Sequence, residues 1–116
     1  MKRSALFISD STGMTASALG KLLEHFPHTE FTQVRLPFTD TPEKIDVAKA
    51  AIAKATEQDG VRPVVIMSLG NSELRTSLKQ VDAYYIDLFN TFIDPLGVEL
   101  GEQPLTGSGI AHGAMG

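Results

Sequence analysis

Asp10, Ser11, Thr12, Gly13 and Thr15 crowd together directly after a short apolar run. A carboxylate, three hydroxyls and one glycine at the mouth of a strand fit three chemistries. A glycine lets the backbone approach a phosphate closely, while hydroxyls and the unpaired N–H groups of a following helix hold its oxygens. An aspartate whose charge is neutralised by a metal and a lysine can act as a phosphorylated nucleophile. In the third reading Ser11 or Thr12 caps the next helix and Asp10 accepts backbone N–H groups in the turn.

The spelling bears on each. "DSTGMT" approximates the flavodoxin phosphate loop, T-x-T-G-x-T, with Asp10 standing where the first threonine belongs. A carboxylate there repels phosphate unless a cation intervenes. The same residues resemble the D-K-T-G-T phosphorylation loop of P-type ATPases. That chemistry requires acidic partners at a later strand end, where this chain has Ser68-Leu69-Gly70-Asn71. His25 and His28 beside Glu24 form a crude metal-ligand pair without a third ligand. They flank Pro27, where a solvated helix end is expected. His112 lies in a glycine-rich tail, where loop residues can carry function.

The elements that must position the turn follow from apolar spacing. Ala5–Ser9 is an unalternating apolar run, the pattern of a strand buried on both faces. Leu19, Leu22, Leu23 and Phe26 predict one helical face, stopped by Pro27. Phe31–Phe38 predicts a second strand. Thr41 as N-cap, Pro42 in the first turn, the stripe Ile45, Ala48, Ile52 and Ala55, and Gly60 as a stop predict a long helix. Arg62-Pro63 reads as a turn before a third strand, Arg62–Leu69, and Asn71 caps a short polar helix. Tyr85, Leu88, Phe89, Phe92, Ile93 and Leu96 predict a last helix, core or a dimer face, with a kink at Pro95.

Strand and helix alternate, so the expected fold is α/β in three layers. A short parallel sheet of about three strands is flanked by helices, as half of a doubly wound fold. The expected domain spans 1–100. Residues 101–116 form a glycine-rich linker or lid, with the natural chain continuing beyond.

Composition bounds the function. The 116 residues carry a net charge of -4 and no cysteine, against a nucleic-acid partner and against thiolate metal sites or disulfides. No segment approaches the roughly 20 apolar residues of a membrane span. A cytoplasmic location is expected, with no nucleic-acid or membrane partner.

In unbroken order, the segments resemble the N-terminal half of the phosphoenolpyruvate synthetase and pyruvate, phosphate dikinase regulatory proteins. That family opens close to F-x-[IV]-S-D-G-T-G-I-T-A-E-x-L-G, and here the stretch is "FISDSTGMTASALG", Phe7 to Gly20. "PFTDTPEK" (Pro37–Lys44), "DGVRPVVI" (Asp59–Ile66), "DLFNTFIDPLGVEL" (Asp87–Leu100) and "GIAHG" (Gly109–Gly113) fall where the family has similar stretches. Ser11 replaces the family's glycine, and Ser17 its glutamate.

The resemblance implies a bifunctional serine/threonine kinase and phosphorylase that inactivates the dikinase by ADP-dependent threonine phosphorylation. Phosphate-dependent dephosphorylation reverses it. ADP and inorganic phosphate are thus implied for the complete protein, and no cofactor for this portion. The family's P-loop, G-x-S-R-x-G-K-T, has no match in these residues, since Gly20-Lys21 is followed by leucine. The missing P-loop domain, the target dikinase and a second copy are the implied partners. On this reading Asp10, Ser11, Thr12, Gly13 and Thr15 line a ligand-binding cleft that faces the P-loop domain. No catalytic or metal-ligating residue is assigned. The alternatives are a non-catalytic target-binding or dimerisation module and a flavodoxin-like carrier of a small ligand.

Overall fold

The computed structural model describes residues 1–105. Its sheet is built around β1 (Lys2–Ser9), which pairs in parallel with β2 (Glu30–Leu36) on one edge and with β3 (Val64–Ser68) on the other. A fourth strand, β4 (Tyr84–Asp87), continues the sheet beyond β3, giving the parallel order β2-β1-β3-β4. The expected α/β architecture of a short parallel sheet between helices is what forms, one strand wider than the apolar runs indicated.

Alternation along the inner strands sends side chains to two cores. Leu6 and Ile8 of β1 join Val65 and Met67 of β3 beneath α2 (Pro42–Asp59) and α3 (Ser72–Leu78). Ala5 and Phe7 join Ile66 on the other face, against Ala16 of α1 (Met14–Ala18) and Leu88. The predicted α2 stripe is the buried one: Ile45, Ala48, Ile52 and Ala55 all face the sheet. Thr41 caps it by accepting the Lys44 N–H at 3.2 Å, and Gly60 ends it. Asn71 caps α3 as expected, through the Leu74 N–H at 3.0 Å.

Two predicted helices differ. The first is α-helical only over Met14–Ala18 and then tightens into a 3-10 segment, Leu19–His25. Gly20 explains the close seat of this segment, because a Cβ there would meet Phe7 Cζ at 3.1 Å. In the tighter winding Leu19 and Leu23 pack on the sheet, while Leu22 and Phe26 turn to solvent.

The other difference is Tyr84–Asp87, which is strand rather than the start of a helix. Two tyrosines and an isoleucine suit a pleated, half-buried surface, and β3 offers an open edge along Val64–Met67. Helix begins only afterwards, as a π turn (Phe89–Ile93) followed by α4 (Asp94–Leu100). Pro95 follows directly on the π turn, in a helical run whose backbone is already right-handed at Ile93 and Asp94.

Tyr85 ties β4 to the end of α3. Its hydroxyl lies 2.8 Å from the Leu78 carbonyl and 2.7 Å from that of Val81, so one proton serves two acceptors. Burial, with the Asp82 charge adding to it, pushes the phenol from its ordinary 10 up to about 12. The neutral phenol is therefore the form the fold prefers. Its contribution is complete below pH 10 and is lost as the pH rises to about 12. Chemical denaturation across this window should show stability falling, with the fall reduced in Tyr85→Phe.

A second expectation concerns the core. Ile52→Ala should cost about 2–5 kcal/mol in urea unfolding. Val47→Ala, on the outer face of the same helix, should stay within about 0.5 kcal/mol of the parent.

Candidate functional site

The site begins where β1 stops. From β1 the chain passes to β2 by way of α1 on one face, and returns to β3 by way of α2 on the other. The outgoing connections of β1 and β3 therefore diverge. In open parallel sheets the crevice at such a divergence, outside the carboxyl ends of the strands, is where ligands settle.

Asp10 spans that crevice. Its N–H donates to the Ser68 carbonyl at 3.2 Å, and its Oδ2 accepts the Gly70 N–H at 2.9 Å. The carboxylate thus binds the loop after β3 rather than N–H groups of its own turn. Ser11 is held on the other side: its N–H donates to Ser9 Oγ at 3.1 Å, and its carbonyl accepts the Phe38 N–H at 2.9 Å. The Ser9 and Ser11 hydroxyls stand 3.4 Å apart.

Neither Ser11 nor Thr12 caps α1, contrary to the capping expectation. Gly13 occupies the N-cap position at φ +82°, and no side chain bonds the first turn. A left-handed residue there lets the chain leave β1 and enter the helix without a side-chain cap, and glycine adopts that conformation freely. Ser11, Thr12 and Thr15 are left exposed on the turn. Since α1 has only five residues, the field of its N-terminus is small, and anion binding would fall to hydroxyls and side-chain cations.

Beside the turn opens a cleft of about 400 Å³, lined by Thr15, Leu19, Ser68, Phe89, Phe92 and Ile93 among others. Thr15 and Ser68 provide its hydroxyls; the remaining wall is largely apolar. Of the five predicted site residues, Asp10 and Ser11 are fixed by backbone partners, Gly13 shapes the turn, and Thr15 reaches the cleft. Thr12 is exposed at the apex.

Two neighbours escaped sequence reasoning. Phe38, which closes the Ser11 carbonyl, has φ +56°, a left-handed backbone that costs a bulky residue about 1–2 kcal/mol. A Pro-Phe-Thr sequence at a strand end was the only available signal. Arg75 stacks on Phe89 of the cleft wall, 5.3 Å from the ring centroid, and nothing in "SELRTSL" points to that ring.

His25 and His28 do not converge on a ligand set. His25 Nδ1 faces the Leu22 carbonyl at 3.2 Å. Among the described residues no three His, Cys, Asp or Glu side chains gather around a common point. No helix among them is long and apolar enough to cross a membrane. His112 and the Gly109–Gly113 stretch lie outside the described residues.

Comparison with known proteins bears on this geometry. A family model described as kinase/pyrophosphorylase matches residues 6–115. Among curated relatives, one from Methylobacillus flagellatus is 51% identical over 115 residues, covering 99% of this chain and 43% of its own length. One from Hahella chejuensis is 46% identical, covering 97% and 42%. One from Pseudomonas aeruginosa is 40% identical, covering 97% and 41%. All three are named as phosphoenolpyruvate synthase regulatory proteins. The chain spans less than half the length of these relatives.

The Asp10–Gly70 contact can be tested directly. Asp10→Ala should lower stability by about 1–3 kcal/mol and speed hydrogen exchange at the Gly70 amide. Asp10→Asn, which keeps an acceptor oxygen, should recover most of the protection. Equal exchange at Gly70 in all three proteins would remove the carboxylate from the crevice.

Proposed function

The chain belongs to the kinase/pyrophosphorylase family, and from that premise we propose that it is the N-terminal portion of a bifunctional regulatory enzyme acting on phosphoenolpyruvate synthase. In the forward direction the terminal phosphoryl group of ADP is transferred to a threonine hydroxyl of the synthase, leaving AMP and the hydroxyl's proton, and the synthase is thereby switched off. In the reverse direction inorganic phosphate attacks the phosphothreonine, forming pyrophosphate and freeing the hydroxyl. The observation that carries this reading is the family match running through the strand-end turn and on to residue 115.

The residues present suit the accepting side of the reaction. Asp10, held by Gly70, is positioned to orient a target hydroxyl, and Ser11, Thr12 and Thr15 offer hydroxyls to phosphoryl oxygens. A phosphate-gripping lysine loop has no match in these 116 residues, so nucleotide binding is assigned to the additional length found in the relatives. The target identity rests on the relatives' names, with pyruvate, phosphate dikinase as the other member of that substrate class. On this reading the chain acts in the cytoplasm.

One observation favours a second reading, a module for target binding or self-association. Phe92, Leu96, Val98 and Leu100 all lie exposed on the last helical segment. Capture of the synthase by this chain without any nucleotide would support that role.

The main reading is tested with purified phosphoenolpyruvate synthase, ADP and a protein of the relatives' length that carries this segment. Phosphothreonine should appear on the synthase as its activity falls, and inorganic phosphate should reverse both. Asp10→Ala should slow transfer by about a hundredfold, within the range for positioned polar groups. Absence of phosphothreonine would overturn the proposal, and unchanged transfer in Asp10→Ala would reduce the turn to a structural role.

A further inference from the structure

α3 and its C-cap present two cations one turn apart, Arg75 and Lys79, a spacing that puts them on the same side of the helix. Their surroundings differ. Lys79 Nζ contacts Asp87 Oδ2 at 2.7 Å, and Asp87 is almost wholly buried. The other oxygen of Asp87 accepts the N–H groups of Phe89 and Asn90 at 3.1 and 3.2 Å. That carboxylate is therefore fully engaged without Arg75.

Arg75 lies on the ring of Phe89 instead, and its Nη1 is buried with no hydrogen-bond partner among the described residues. Arg62 supplies a contrast. It too sits near a ring, Tyr84 at 5.9 Å, but it is exposed and faces Asp82 at 3.5 Å. Among the described residues, Arg75 is the stacked arginine without a carboxylate. A buried N–H without an acceptor is destabilising, more so in a charged group, and native proteins keep few of them. The residue as a whole is only half-buried. Rotation about its terminal torsions would bring Nη1 out.

Position gives this pose a purpose. α3 starts just beyond β3, and Phe89 follows β4, so guanidinium and ring lie at the carboxyl ends of the strands. Phe89 is also part of the wall of the cleft that contains Thr15 and Ser68. We propose that Arg75 is an anion-binding residue of the strand-end site, parked on Phe89 until a phosphate group draws its fork out. The planar fork matches two phosphate oxygens at once, which a lysine ammonium does not. The inference rests on the reading of the strand-end turn as ligand-facing, and adds to it the cation that a short α1 and an acidic Asp10 do not provide.

Magnetic-resonance titration of the chain tests it, with inorganic phosphate and a phosphothreonine peptide as separate probes and acetate as a control. In the parked pose the guanidinium protons are shielded by the Phe89 ring. Phosphate should move them downfield in a saturable way, together with the Phe89 ring signals. Arg75→Lys should weaken phosphate binding about tenfold, while Arg62→Lys leaves it unchanged. Tighter binding of the peptide would name a phosphorylated protein side chain as the source of the anion, and tighter binding of inorganic phosphate would name the free ion. Either supports the proposal.

Three results would overturn it. Movement of the Ser11–Thr15 amides without Arg75 would leave the strand-end reading standing and remove this residue. No response anywhere would remove both. An equal response to acetate would show general charge attraction only. The parent chain's own Arg75 signals decide the matter even where Arg75→Lys fails to fold.

Discussion

Everything in this molecule depends on one strand being shut off from water on all sides. β1 is paired along both edges and covered on both faces, so Ala5, Leu6, Phe7 and Ile8 are all buried. A backbone in that position must satisfy every N–H and C=O through its neighbours. That requirement fixes the register of β2 and β3, and the alternating side chains then fix which helix covers which face. Beyond Ser4, polar side chains return only where the strand ends. The abrupt change from Ile8 to Ser9 and Asp10 is the sequence's record of that limit.

Two strand-end aspartates work alike despite their distance in sequence. Asp10 takes the Gly70 N–H across the β1/β3 crevice, and Asp87 takes the N–H groups of Phe89 and Asn90 where β4 turns into helix. Each uses an acceptor oxygen to fix a backbone that has just left the sheet. Lys79 compensates the more buried of the two. The turn after β1 is thus braced by its carboxylate, while its exposed hydroxyls remain available.

How much of this could be read in advance depended on how local the determining contacts are. The limits of α2 were legible because Thr41, Pro42 and Gly60 act within a turn of themselves, and the buried stripe needs only a helical period. Asn71 was legible for the same reason. β4 was not, because Tyr84-Tyr85-Ile86 is too short a run to declare itself and merges with the helical spacing that follows. What makes it a strand is the open edge of β3. The change of winding in the helix after the turn was not legible either, because the Leu19–Phe26 spacing does not reveal that Gly20 must fit against Phe7. The location of the candidate site was visible in Asp10–Thr15. Its neighbours Phe38 and Arg75 were not, since both owe their roles to partners brought close only by folding.

The central place of β1 has a consequence for how the chain is made. Val64, the partner of Ala5, is synthesised roughly 60 residues after it, and at about 5–20 residues per second that is a wait of several seconds. β2 arrives sooner, but a parallel pair needs its crossover in place before it holds. Throughout that interval an apolar segment with an unmatched edge waits in the nascent chain, the condition in which strands join the wrong neighbours. The segment that gives the finished fold its centre is the one most in need of shelter during translation.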